Sequence, residues 1–218
     1  MSAPRVWPLD RVPPLRSVPP PDLNALTRDR IERERTRLAT HPTMTDEPIL
    51  MVAAAAPAEL TVYPATYAWH AADRAAPLPG TQGGLGVQLA LTAGDDMLWQ
   101  RRGPGVDHPG YWSISVAGCA VPGAGLADQI RDEAREELGL DPGHLADLRP
   151  LALVVPAEGR TVQVVFHARL ADGVRPAPDG VEAVDVRKAR APEELPGAVD
   201  PLTAAWWSVL AGLLRAAR

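Results

Sequence analysis

Hydrophobic and polar positions alternate along this chain with two periods, and the changes between them mark its elements. Leu23, Leu26, Ile31 and Leu38 stand among alternating arginines and glutamates, which predicts a solvated, weakly amphipathic helix stopped by His41-Pro42. Residues 49–55 and 60–69 read as two strands with Ala56-Pro57 between them. The clearest hairpin joins residues 84–91 to 97–101 through Gly94-Asp95-Asp96. After a loop rich in glycine and proline at 103–110, residues 111–117 alternate as a strand. Residues 126–138 repeat as a helix that Gly139 stops. Strands follow at 150–155, 161–170 and 181–187. Pro201 then opens a closing helix with Leu202, Trp206, Leu210 and Leu213 on one stripe. Strands interleaved with a few helices predict an α/β fold, a mixed central sheet covered by helices on both faces.

Composition narrows this picture. The 218 residues, 46% hydrophobic and 22% charged, suit one globular body and exclude collagen or wholesale disorder. Proline is concentrated at the start, where Pro4, Pro8, Pro13, Pro14, Pro19, Pro20 and Pro21 give residues 1–24 the character of an extended arm. The expected organisation is therefore an arm at 1–24, an N-terminal extension of helix and strands at 25–82, and a main domain at 83–218. A net charge of −5 gives no chain-wide attraction for nucleic acid or anionic lipid. Phosphate would have to be held locally or through a metal. The single cysteine, Cys119, excludes an intrachain disulfide, and no apolar run reaches the roughly 18 residues of a membrane span. The expectation is a cytoplasmic protein without membrane or nucleic-acid partners. Cys119 at a strand-to-loop crossing reads as a small buried residue, and His167 as a strand histidine.

Chemistry concentrates in the helix at 126–138. At about 100° per residue, with Asp132 at zero, Glu136 falls near 40°, Glu133 near 100° and Glu137 near 140°. Ile130, Ala134, Ala127 and Leu138 form the apolar stripe beside them, and Arg131 and Arg135 lie beyond that stripe. Asp132 with Glu136 and Glu133 with Glu137 are like-charge pairs four residues apart, each costing about 0.2–0.5 kcal/mol. Such a face calls for a cation, and a hard divalent ion such as Mg²⁺ joins one or two carboxylates to substrate phosphates. A solvated acidic face is the other reading of the same pattern.

The segment upstream, Gly118-Cys119-Ala120-Val121-Pro122-Gly123, feeds this helix, and together they resemble the Nudix hydrolases, whose motif is G-x5-E-x7-R-E-U-x-E-E-x-G-U with U aliphatic. In register, Gly118, Glu133, Glu136, Glu137, Gly139 and Leu140 agree, whereas Ala124, Asp132 and Ala134 depart from it. Arg101-Arg102, Gly110-Tyr111-Trp112 and Glu194-Leu195-Pro196 are similar to the family's flanking segments. The resemblance covers about residues 83–215 and implies a Nudix-like α/β/α sandwich. It implies Glu133, Glu136 and Glu137 as catalytic residues and as ligands of Mg²⁺, or of Mn²⁺ in its place, with Asp132 an extra ligand offsetting Ala124. Arg101, Arg102, Trp112 and the Gly118 loop would meet substrate. Arg131 is one position out of register with the family's arginine.

The activity implied is a Mg²⁺-dependent pyrophosphohydrolase that cleaves a nucleoside diphosphate linked to another moiety. The helix and strands ahead of residue 83 resemble the extension of Nudix enzymes acting on nucleotide sugars, which points to a UDP-sugar-like substrate and is compatible with a homodimer. Glu158 and Glu182 are equal candidates for the general base. The rival is a catalytically silent Nudix-fold module that binds a nucleotide or a protein. The isopentenyl-diphosphate isomerases of the same superfamily fit less well, because Ala117 stands where that family has its cysteine.

Overall fold

The structure, a computed structural model, describes residues 3–41, 44–157 and 161–216. In chain order its elements are β1 (Arg5–Pro8), β2 (Leu15–Ser17), α1 (Ala25–Leu38), β3 (Pro48–Ala56), β4 (Glu59–Thr66), α2 (Tyr67–Ala75), β5 (Gly83–Ala93), β6 (Asp96–Arg102), β7 (Trp112–Ile114), β8 (Val116–Cys119), α3 (Leu126–Leu138), β9 (Leu145–Val155), β10 (Thr161–Leu170), β11 (Ala183–Ala189) and α4 (Pro201–Ala216). The strands form one mixed sheet with the path β1-β9-β10-β5-β3-β4-β2, and β5 also pairs with β6 and β8. β10 runs parallel to β5 and antiparallel to β9.

The two faces of β5 and β10 carry the two halves of the core. Leu85, Val87, Leu89, Val162, Val164 and Phe166 face α3, which contributes Ile130, Ala134 and Leu138. Ala90 and Val165 on the opposite face pack with Trp99, Trp112 and α4, through Trp206, Leu210 and Leu214. This is the α/β/α layering expected from the sequence. Gly139 adopts φ 63° and ends α3, with Leu140 N–H bonded to the Ala134 carbonyl at 3.1 Å.

Several elements differ from the sequence reading. Residues 67–75 form α2, where an extended strand to 69 was expected. The four-residue spacing of Ala68 and Ala72 packs against Ile31 and Leu38 of α1, and Asp46 Oδ1 accepts the Ala68 N–H at 2.7 Å to start the turn. The strand expected at 111–117 breaks into β7 and β8 at buried Ser115. Its hydroxyl donates to the Leu98 carbonyl and accepts the Leu91 N–H. The last strand starts at 183, not 181, because Asp179 Oδ1 gathers the N–H groups of Val181, Glu182 and Ala183 into a turn.

The arm is ordered along sheet edges, β1 against β9 and β2 against β4, where proline costs little pairing. The 25–82 segment enters the same sheet, since Met51 pairs Gly84 and Val52 pairs Gly83. Pro42 of the expected helix stop lies outside the described residues.

Candidate active site

α3 lies with its acidic side over β8, and the contact is close because β8 carries a glycine there. A Cβ on Gly118 would stand 1.9 Å from Glu133 Oε1, so only glycine lets this carboxylate reach the strand. One turn on, Glu137 is 2% exposed. Its Oε1 accepts the Ala117 N–H at 3.3 Å and the Gln100 side chain also bonds it, while its Oε2 has no partner among the described residues. Glu136 is exposed and shares with Glu133 one wall of a cavity of about 890 Å³. Glu182 and Glu47 line the same cavity from the turn before β11 and the approach to β3.

The electrostatics follow from burial among like charges. Desolvation, then Glu182, Glu136, Asp132 and Glu47, push the Glu133 carboxyl up to about 7. Burial and Glu133 raise Glu137 well above the ordinary range. Burial and Asp179 raise Glu182, with Arg102 opposing. Glu133, Glu136, Glu137, Glu182 and Glu47 therefore bear on one region, and the arginines of α3 are engaged elsewhere. Arg131 pairs with Asp128 at 2.8 Å, and Arg135 with Asp132 at 2.7 Å.

That pairing corrects one expectation. Asp132 is exposed, bound to Arg135 and absent from the cavity wall, because it projects about 100° away from Glu133 around the helix. It influences Glu133 through its charge alone. Two of the substrate-binding expectations also change. Trp112 is 1% exposed in the core, its Nε1–H donating to the Pro196 carbonyl at 3.0 Å and Arg187 covering its ring. Arg101 is exposed and donates to the Gly110 carbonyl, off the cavity wall. Alternation along β6 sends its neighbour Arg102 to the cavity instead. Gly118 is in the wall. Cys119, expected to be buried, is half-buried and lines the cavity; desolvation and Glu133 raise its thiol, which disfavours the reactive thiolate. His167 is buried beside Thr92. Glu158 lies outside the described residues.

Sequence reasoning missed the far side of the cavity. Tyr67, His70 and Arg74 of α2 form part of it, and Arg74 pairs with Asp107 of the 103–110 loop. Asp200, Pro201 and Leu202 close it at the start of α4, and Gln88 and Gln163 rise from β5 and β10. The four-residue alanine spacing at 68 and 72 was the available signal for α2. The glutamines carry no local signal in a strand.

The donor set suits a divalent cation that completes its shell from substrate. Among the described residues the buried Glu137 Oε2 lacks a partner, and the charges that bear most on the nearby Glu133 carboxylate are all acidic. Among the described residues no three acidic, histidine or cysteine side chains already converge as a ready ligand shell. Two carboxylates plus phosphate oxygens is the arrangement Mg²⁺ prefers.

No protein-family model matches the sequence, and no curated protein matches it. Among solved structures, DR0079 from Deinococcus radiodurans superposes with a TM-score of 0.52 at 22% identity, over 78% of this chain and 98% of that one. RenU, a Nudix hydrolase from M. smegmatis, superposes with a TM-score of 0.48 at 20% identity, over 62% of this chain and 86% of that one. A MutT Nudix hydrolase from Burkholderia pseudomallei gives 0.45 at 20% identity, over 58% of this chain and 97% of that one. At such identities the likeness is one of fold, an α/β architecture with a mixed sheet between helices.

Proposed function

We propose that the chain is a Mg²⁺-dependent pyrophosphohydrolase acting on a nucleoside diphosphate linked to a second group, a nucleotide sugar of the UDP-sugar kind being the preferred substrate. The observation that carries this reading is the acidic cluster of α3, with Glu133 and Glu136 in the wall of a large cavity and Glu137 buried one turn on against β8, above a glycine that makes room for Glu133. Glu133 and Glu137 would hold the ion, with Glu136 assisting. When bound, Mg²⁺ supplies charge to the diphosphate oxygens and lowers the barrier to attack by water.

The chain's own residues divide the remaining work. Arg102, in the cavity wall, is assigned to the diphosphate charge. To Glu182, raised by burial, we assign the role of accepting the proton of the attacking water. The extension at 25–82 contributes α2 to the cavity, which leaves room for a group beyond the diphosphate. Among the described residues no helix is long and apolar enough to cross a membrane. A reducing cytoplasm is the setting that one unpaired cysteine suits.

One observation favours the second reading, a silent module that binds a nucleotide or protein. Ala124 offers no carboxylate and Asp132 turns to Arg135, so two of the motif's charged positions contribute nothing to the cavity. A screen of nucleoside triphosphates, nucleotide sugars and dinucleotides with Mg²⁺, read by product mass, separates the two. Cleavage between the phosphorus atoms supports the enzyme. Intact substrates throughout leave the binding module.

A further inference from the structure

The cavity floor carries two polar groups that the fold leaves unsatisfied. Gln88 on β5 and Gln163 on β10 are 4% and 6% exposed, both line the cavity, and the side-chain oxygen of each has no hydrogen-bond partner among the described residues. A buried carboxamide without a partner is costly, so its retention calls for a ligand or a structural reason. Among the described residues neither oxygen ties one element to another by a hydrogen bond.

The backbone is also shaped for this pair. In the parallel β5–β10 register, Gln163 stands opposite Gly86 and Gln88 opposite Val165, which puts both glutamines on one face of adjacent strands. A Cβ on Gly86 would lie 2.3 Å from Gln163 Oε1, so the amide rests across the space that glycine leaves, on the side where Gln88 follows two residues later. Gln88 in turn faces Ala117 of β8, the residue whose N–H bonds Glu137. Gln88 therefore begins one strand spacing, about 4.8 Å, from the strand that anchors the acidic cluster, and Gln163 lies one strand further on.

We infer that Gln88 and Gln163 form a second subsite, which recognises through paired hydrogen bonds the donor-bearing polar edge of the group attached to the diphosphate. The inference rests on the diphosphate reading of the acidic cluster. Carboxamides pair well with nucleobase edges, and they also accept from sugar hydroxyls. The shared chemistry is a polar edge with adjacent N–H or O–H donors. A subsite of this kind discriminates strongly, because a ligand lacking the donors leaves both amide oxygens buried and unpaired.

The test measures binding of UMP, AMP, glucose 1-phosphate and ribose 5-phosphate to the full chain, with and without Mn²⁺, for wild type, Gln88→Met and Gln163→Met. A nucleobase as the source predicts that UMP or AMP binds about tenfold or more tighter than ribose 5-phosphate, and that each variant loses that margin. A sugar as the source predicts the same margin and the same loss for glucose 1-phosphate. Ribose 5-phosphate affinity stays unchanged in the variants. Their metal-free Tm rises by about 2–4 °C, since an unsatisfied polar group is removed, whereas a merely structural role predicts a fall. Variants that keep the wild-type margin, or wild-type protein that binds every probe no better than ribose 5-phosphate, overturn the inference. Mn²⁺ titrated alone reads the acidic cluster separately, so a failed metal site with an intact nucleotide margin counts against the proposed reaction and not against the glutamines.

Discussion

Helices α1 and α3 look alike on paper, both dense in arginine and carboxylate, and they have opposite physical characters. In α1 the acids are answered locally. Asp29 pairs with Arg33, Glu32 with Arg35 at 2.5 Å and Glu34 with Arg37 at 2.8 Å, and Arg35 also reaches Asp46 at 2.8 Å. In α3 the arginines satisfy only the outward acids, Asp128 and Asp132, and among the described residues Glu133, Glu136 and Glu137 form no ion pair where they meet a strand and a cavity. Charge density alone does not mark a site. Carboxylates that the fold buries and does not neutralise do so, because burial without compensation costs stability unless a ligand recovers it.

The sharpest way to break this contrast is to remove one carboxylate from each helix. Glu137→Gln is expected to lower turnover of the best substrate by on the order of 10²-fold or more, since it exchanges a charged ligand for a neutral one of the same shape. Glu34→Gln on α1 is expected to leave turnover unchanged. Steady-state kinetics at saturating Mg²⁺ reads both, and equal effects would erase the distinction. Next in size is Gly118→Ala, whose added Cβ meets Glu133 Oε1 at 1.9 Å. Moving that carboxylate is expected to weaken Mn²⁺ binding by about tenfold and to cost about 1–3 kcal/mol of stability, measurable by calorimetry and denaturant unfolding.

A pH series separates the helices by sign. The Glu133 carboxyl sits at about 7 in the fold against an ordinary 4.5, so the folded state holds the proton more tightly than the unfolded chain. Its contribution to stability is full below about 4.5 and is lost as pH rises through about 7. Glu137, raised as well, acts in the same direction. Near α1 the sign reverses. Burial alone would raise Asp46, but the Ala68 N–H and Arg35 overcome it and hold the carboxyl below its ordinary 3.8, so its contribution is present above that value and is lost as pH falls. Metal-free protein is therefore expected to lose a few degrees of Tm between about pH 5 and pH 8, and saturating Mg²⁺ to flatten that slope. A metal-free Tm that climbs over this interval would contradict the assignment. The smallest effect belongs to Asp132→Asn, which removes an exposed ion pair and is expected to change turnover and Mn²⁺ affinity by less than about twofold.

The layered fold was legible in the sequence because long periodic segments carry their own signal. The 84–101 hairpin, the 126–138 helix with its Gly139 stop and the Pro201 helix appear close to where periodicity puts them. That Glu133, Glu136 and Glu137 share one side of α3 was legible from their spacing on one helix. Their depth was not, since a helical projection orders side chains around an axis and does not say which is covered by β8. For the same reason Asp132 looked equivalent to Glu136, and a strand tryptophan such as Trp112 could not be assigned to cavity or core. The far wall was illegible altogether. Tyr67, Gln88, Gln163 and Asp200 are distant in sequence and meet only through the sheet and its two helical layers.

The most direct measurement is a calorimetric titration of the folded, metal-free chain with Mn²⁺, run on wild type, Glu137→Gln and Glu34→Gln, with and without a non-hydrolysable nucleoside diphosphate analogue. Binding by wild type and by Glu34→Gln, strengthened by the analogue and lost in Glu137→Gln, is the predicted result. Wild type that takes up no Mn²⁺ under either condition, or Glu137→Gln that binds as wild type does, would contradict the acidic cluster of α3 as a metal-assisted diphosphate site.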